Sequence, residues 1–257
     1  MAFDDVPLCP PLAAASVVFP SAAFVAPLVI DEAQARAATR EAIHGSFARP
    51  TDIASASLDR LRLAQVPFWR VEASVDGFHL GLTSGTRGDG RGFILPTGGA
   101  RHRDGELMVC ARTLFPFAPA PQVYMFGKPL IQVGMAPIEM PLAELVPLSA
   151  AARVEGDVID ADMPREEGER LAAQALMRAV APSSALFATY QPNVKSVAFC
   201  RYPLWIQRYE YRGDVRTTPG EVFFVVLSGR TGKIVHAHHP SRLLSVANRV
   251  RKLLSSF

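Results

Sequence analysis

Cysteine is scarce in this chain of 257 residues: Cys9, Cys110 and Cys200 stand far apart among apolar neighbours. Thiols so spaced make neither a disulfide framework nor a CxxC metal knuckle, and a reducing, cytoplasmic setting is the simpler expectation. Long apolar runs are missing too. The first 30 residues are rich in Ala, Val and Phe, but Pro10, Pro11, Pro20 and Pro27 divide them. No stretch of about 18 apolar residues is left to span a bilayer. Asp4 and Asp5 occupy the place of a signal peptide's basic start, so export is not expected. Nor does one sign of charge dominate. Charged residues make up 20 % and the formal net charge is +3, too balanced to mark a nucleic-acid binder, and no nucleic-acid partner is expected.

Catalytic signatures are equally thin. There is no GxSxG elbow, and His44, His79 and His102 have no recognisable Ser or Cys partner in sequence. Residues 85–92 (GTRGDGRG) have the glycine density of a phosphate cradle but not the Lys-Ser/Thr ending of a Walker loop. Cys110 and Cys200 sit in apolar strand-like contexts and read as core thiols. His236 and His238 are the nearest approach to a metal pair, since strand alternation puts both on one face, with His239 next to them. No third ligand lies nearby in sequence, so a solvated strand end is expected there. No cofactor, metal or enzymatic activity is expected. The alternative is an enzyme whose dispersed site between two lobes draws on residues such as His79, Glu210 and His236.

What the sequence does contain is a repeat. Residue n set against n + 136 places Pro67-Phe68-Trp69 over Pro203-Leu204-Trp205 and Gly77 over Gly213, without a gap. Both windows alternate as half-buried strands: Trp69, Val71, Ala73 and Val75 share one face, as do Trp205, Gln207, Tyr209 and Tyr211. Pro67, Trp69, Pro203 and Trp205 are therefore read as structural anchors, the aromatics filling equivalent core positions.

A helical segment precedes each strand. The first begins near Asp31 and sets Ala33, Ala37, Ala38, Ala42 and Ile43 as a small-residue stripe among charges. The second opens with Asp162 and Pro164, suited to a cap and a first turn, and stops at Pro182. Downstream, residues 221–228 and 233–239 flank a Gly229-Arg230-Thr231-Gly232 turn and read as a meander. In the first copy a short strand over 78–84 leads into a Gly-rich insertion at 85–105, expected to be a mobile loop, before β character resumes at 106–114.

These patterns predict an α+β protein: two tandem helix-plus-antiparallel-meander units packed together, with a C-terminal amphipathic helix. The divisions are a first unit over 1–114, a Pro-rich packed connector over 115–150, a second unit over 151–240 and a tail over 241–257. The connector is too apolar for a solvated linker, so it is expected to pack against both lobes.

The order of an apolar strand ending in Pro, a helix starting Asp31-Glu32-Ala33, then VPFW at 66–69, a long insertion, a second helix, YPLW at 202–205 and SGRTGKIV at 228–235 resembles the body of bacterial zinc-ribbon or primosomal-protein-N′-like proteins. The resemblance covers roughly residues 17–241. In that family a cysteine-rich ribbon precedes the body, whereas here Cys9 stands alone and no four-ligand zinc site can be assembled. The resemblance implies a non-catalytic assembly or adaptor body, working beside membrane-associated or ATPase partners.

The tail is polarised. In 241–257, Leu243, Val246, Ala247, Val250, Leu253, Leu254 and Phe257 gather on one side of a helical wheel, with Leu244 adjoining. Arg242, Arg249, Arg251 and Lys252 supply four positive charges and no acid offsets them, so the remaining chain carries −1 of the net +3. Such a helix docks on its own body, in a partner's groove or on an anionic membrane surface. The expected function is that of a non-catalytic cytoplasmic adaptor that binds another protein, within a multi-subunit assembly, through the tail or the exposed sheet faces. Peripheral membrane binding through the tail is a further alternative.

Overall fold

The computed structural model describes residues 23–45, 56–86, 92–113, 122–125, 128–129, 144–148, 155–181, 185–211 and 221–240, together with Leu8, Ile53, Phe115, Phe117 and Ile138. In chain order the elements are β1 (Ala23–Val25), α1 (Glu32–Gly45), β2 (Ser57–Leu58), β3 (Arg62–Thr86), β4 (Gly92–Cys110), β5 (Gln122–Met125), β6 (Lys128–Pro129), β7 (Val146–Pro147), β8 (Asp157–Val158), α2 (Arg165–Val180), β9 (Ala185–Glu210), β10 (Phe223–Ser228) and β11 (Ile234–His238). All the strands belong to one sheet whose main path runs β11-β10-β9-β3-β4-β5-β6.

This overturns the expected pair of helix-plus-meander units. The architecture is one large, mostly antiparallel sheet with two helices among the described residues, because the lead strands of the two copies pair with each other instead of heading separate meanders. β3 and β9 are antiparallel over nearly their whole length, from Arg62↔Ile206 to Gly81↔Ala185. Val66 faces Tyr202 in that register, and these two are equivalent residues under the offset of 136. A pseudo-twofold axis therefore passes between them. The tail expected as a C-terminal helix lies outside the described residues.

The symmetry reaches individual hydrogen bonds. On the outer side of β3, Ile159 N–H donates to the Gln65 carbonyl (3.1 Å) and Ala111 N–H to the Pro67 carbonyl (2.8 Å). On the outer side of β9, Ala26 N–H donates to the Arg201 carbonyl (2.9 Å) and Gly229 N–H to the Pro203 carbonyl (2.8 Å). Each proline thus sits where its strand changes outer neighbour, from β8 to β4 on one side and from β1 to β10 on the other. A missing N–H is tolerated at that seam because no ladder bond is due there. Two residues on, the Trp69 indole N–H donates to the Met163 carbonyl (3.0 Å) and that of Trp205 to the Ile30 carbonyl (2.9 Å).

Those carbonyls belong to the segments that enter the helices, and the pairing is crossed. Trp69, from the first copy, clusters with Ala172, Leu176 and Val180 of α2. Trp205, from the second, clusters with Ala35 and Ile43 of α1. Counted from the start of each helix, the buried Ala35, Thr39 and Ile43 of α1 match Gly168, Ala172 and Leu176 of α2, which buries Val180 as well. Both clusters lie on the face of odd-numbered β3 residues. The opposite face carries a central cluster around Val66, Phe68, Tyr202 and Leu204, covered by Leu8, Phe115, Phe117, Ile138 and Leu145.

Local chemistry accounts for the helix starts. Gln34 N–H donates to Asp31 Oδ1 (2.8 Å) and Asp31 N–H to Gln34 Oε1 (3.1 Å), a reciprocal capping box. Asp162 does not cap α2: its Oδ1 takes the Thr113 N–H (2.6 Å) and hydroxyl (3.0 Å), and the residue before the helix is Pro164. The Gly-rich insertion is largely strand, since residues 92–105 pair with β3 as part of β4. Its Phe93, Ile94, Leu95 and Thr97 are β-formers, and at Gly98 a Cβ would stand 2.7 Å from the His79 carbonyl oxygen.

Gly168 is the tight point of the α2 contact, where a Cβ would lie 2.6 Å from Trp69 Cδ1. Helix propensity alone favours Ala over Gly by about 1 kcal/mol. Gly168→Ala is nevertheless expected to destabilise the protein by roughly 1–3 kcal/mol through overpacking, read from denaturant unfolding; a stabilised variant would contradict this contact.

Candidate docking surface

Beyond α2 the sheet continues as a three-stranded arm, β9-β3-β4, ending at Thr86 and Gly92. The even-numbered residues of β3 face away from α2, and the side chains on that face fall into three zones. Nearest the pseudo-axis, Phe68 and Met108 belong to the central core. Next comes a ladder of charges. Arg70, 7 % exposed, donates twice to the Glu106 carboxylate, at 2.8 Å each. Ser196 Oγ donates to Glu72 (3.0 Å), Lys195 pairs with Asp104 (2.5 Å), and His102 Nδ1 meets Asp76 Oδ1 (2.7 Å). The hydrogen bond to Asp76 raises the His102 pKa above the usual imidazole value, and Lys195 holds the Asp104 carboxyl below the usual carboxylate range.

Past the ladder the face turns apolar. Phe78, Leu80 and Leu82 of β3, Ile94 of β4 and Phe187 of β9 are between 41 % and 68 % exposed. Phe187 stands directly beside Leu80, and Ile94 beside Ser84, in the ladder register. At roughly 200 Å² per large side chain these open about 500 Å² of apolar surface, at the upper end for the largest patch of a typical monomer. The four rows of charge from Arg70 to Asp76 separate this patch from the core, so it is not a frayed margin of the interior.

The arm's edges differ from its face. Among the described residues no further strand lies beside β9 over 185–197 or beside β4 over 92–105. Pro192 and Pro96 interrupt these edges, and the β3–β9 register shifts at Glu72/Ala73 and again at Leu80/Gly81. Edge prolines and bulges discourage the addition of another strand. The open face is thus the part of the arm suited to contact.

The residues singled out from sequence are placed elsewhere. Trp69 and Trp205 are buried, at 1 % and 6 % exposure. His236 and His238 are engaged separately: His238 Nε2 meets Glu221 Oε1 (2.9 Å) and its ring stacks on Phe223, while His236 lies against Phe224. Among the described residues no group of three or more His, Cys, Asp or Glu is placed to hold a metal ion. His79, Glu210 and His236 do not converge. His236 shares a row with Val226, Ile206 and Arg62, and His79 lies 17 residues further along β3, about 55 Å away at 3.3 Å per residue. The tail residues Leu243, Leu244, Val246, Val250, Leu253, Leu254, Phe257, Arg242, Arg249, Arg251 and Lys252 lie outside the described residues. No helix among the described residues is long and apolar enough to cross a membrane.

A groove of about 500 Å³ lies beside the start of β3 and is lined by Glu32, Arg60, Arg62, Glu155, Asp157 and Trp205 among others. Arg62 grips Asp157 Oδ2 through Nε (2.9 Å) and Nη2 (2.7 Å), and the groove mixes both signs of charge. Cys200 is buried, and desolvation pushes its thiol up to about 12, which leaves it unreactive near neutrality.

The patch was missed in sequence because its alternation, Phe78-x-Leu80-x-Leu82, is identical to that of a strand with one buried face.

Burial, and secondarily the charge of His238, lowers the pKa of both His236 and His239 below 6.5. The unfolded chain therefore takes up protons below about pH 6.5 where the folded protein does not, and stability falls as pH falls through that range. His239, whose Nδ1 lies 2.7 Å from the Tyr209 hydroxyl, contributes part of this slope. His239→Gln is expected to flatten the fall of melting temperature as pH drops below about 6.5; an unchanged slope would contradict the assignment. Searches of protein-family models, curated proteins and solved structures give no match to this chain.

Proposed function

We propose that this chain is a non-catalytic cytoplasmic assembly protein that binds another protein through the apolar face of its arm. The observation that carries the reading is the patch around Leu80, solvent-facing and set apart from the core by the charged ladder. An apolar centre bordered by polar groups of both signs matches the anatomy of protein interfaces. A membrane surface fits less well, because Glu72, Asp76 and Asp104 lie on the same face and would meet anionic headgroups unfavourably.

The polarised tail supplies a second contact in this reading. Pro240, the last described residue before it, follows β11, whose end aligns with Arg208 of β9 and so lies beyond the start of β3. The arm ends at Thr86, on the far side of the pseudo-axis. The arm's patch and the point at which the chain passes from Pro240 to the tail thus lie at opposite ends of the sheet, which suits a protein that joins partners. An adaptor body is also what the resemblance to primosomal-N′-like proteins implies.

The test is affinity capture from the native cell with the tagged full-length chain. Leu80→Asp should reduce recovery of a specific partner about tenfold or more while circular dichroism and melting temperature stay near those of the parent. Removal of 241–257 should remove a different part of the captured set. Undiminished capture by Leu80→Asp would overturn the role of the arm, and undiminished capture without the tail would overturn the role of the tail.

A further inference from the structure

We infer that the arm face is self-complementary and that its occupant is the arm of a second copy of this chain. The inference rests on the docking role proposed for that face and names the partner. Two identical sheets packed face to face about a twofold axis perpendicular to their strands run antiparallel, with β3 over β3 and β4 over β4. With the axis at the centre of the patch, between the rows of Leu80 and Leu82, each row meets its mirror row in the other copy. The register then fixes what meets what.

Ile94 lies in the row of Ser84, and Ala100 in the row of Phe78. Rotation therefore sets Ile94 of β4 on Ala100 of the second copy. Pro96, in the row of Leu82, falls on Gly98, in the row of Leu80. Phe78 falls on Ser84. On β3 and β4 each large group meets a small one, apart from the central Leu80 and Leu82, which meet as large against large; the mirror position of Phe187 on β9 lies outside the described residues. Alternation of large and small across facing positions is what lets two layers interdigitate. The small residues Gly98 and Ala100 are confined to the inner half of the patch and the bulky Ile94 and Pro96 to the outer half, the distribution an antiparallel twofold contact requires.

The remaining features agree with this occupant. The pattern of Pro96, Pro192 and two register shifts discourages strand addition at the edges, so copies meet through faces. The charged ladder lies to one side of the patch, and its outermost row, Asp76 with His102, falls on Thr86 and Gly92 of the second copy, so that carboxylate is not set beneath an apolar side chain. Two patches of about 500 Å² each bury roughly 1,000 Å², which with a polar rim reaches the lower bound for a specific contact of about 1,200 Å². A reversible dimer of modest affinity follows.

The experiment is sedimentation velocity of the purified full-length chain over a concentration series. A dimer forming with concentration is expected, with Leu80→Asp and Ala100→Trp each weakening it at least tenfold. Both positions are exposed, so the variants are expected to melt near the parent temperature. A short bismaleimide applied to a mixture of Ile94→Cys chains and Ala100→Cys chains should give a covalent dimer in excess of that from either chain alone. A chain that stays monomeric, a dimer indifferent to Leu80→Asp, or cross-linking no greater in the mixture would overturn the inference. A monomer whose partner capture is still lost on Leu80→Asp would leave the docking role standing with a different occupant. A monomer whose capture is unaffected would remove both.

Discussion

The antiparallel pairing of β3 with β9, centred on Val66 and Tyr202, is the constraint from which the rest of the molecule follows. Once the two lead strands lie side by side, their outer edges become equivalent and receive equivalent neighbours. Each proline occupies the seam between those neighbours, where its missing N–H costs no ladder bond. Each tryptophan, two residues on, reaches the carbonyl just ahead of the helix on its own side. That helix comes from the other copy. The duplication is therefore one interlocked body, and neither half carries its own tryptophan pocket.

That body is packed and buried where it is symmetric and exposed where it is not. The first copy extends its hairpin far beyond the pseudo-axis, and the N-terminal half of β9 follows as a third strand, whereas the second copy's β10 and β11 remain short. The arm is the product of this inequality. Its base is held on one face by α2 and on the other by ion pairs, of which the bidentate Arg70–Glu106 contact is the most buried. Only the outer rows carry large side chains with nothing over them among the described residues. The exposed apolar face thus lies where the symmetry ends.

The parts of this account legible in the sequence are those set by local geometry. The offset of 136 and the shared pleat phase could be read because Pro and Trp recur where the seam and the pocket demand them. The start of α1 near Asp31 could be read from the small-residue stripe that follows it, whereas the reciprocal bonds of Asp31 and Gln34 were seen only in the structure. Which strand each helix covers could not be read, because an amphipathic stripe specifies an apolar surface and not its owner. Residues 92–105 read as a loop from their glycines, yet Gly98 is there because the strand leaves no room for a Cβ. Asp162 looked like a cap and instead ties the end of β4 to the approach to α2. The apolar arm face was readable as a strand but not as exposed, since exposure depends on what does not cover it. His79 and His236 looked equally available until the register put them at opposite ends of the sheet.

The exchange of helices is most directly tested by double-mutant cycles of unfolding free energy. Trp205→Phe combined with Ile43→Ala, and Trp69→Phe combined with Leu176→Ala, are expected to show coupling of about 0.5–3 kcal/mol, as residues within one packed cluster do. The cross-pairs, Trp69 with Ile43 and Trp205 with Leu176, should be additive within about 0.5 kcal/mol. Coupling in the cross-pairs with additivity in the first two would return each helix to its own copy and contradict the interlocked body.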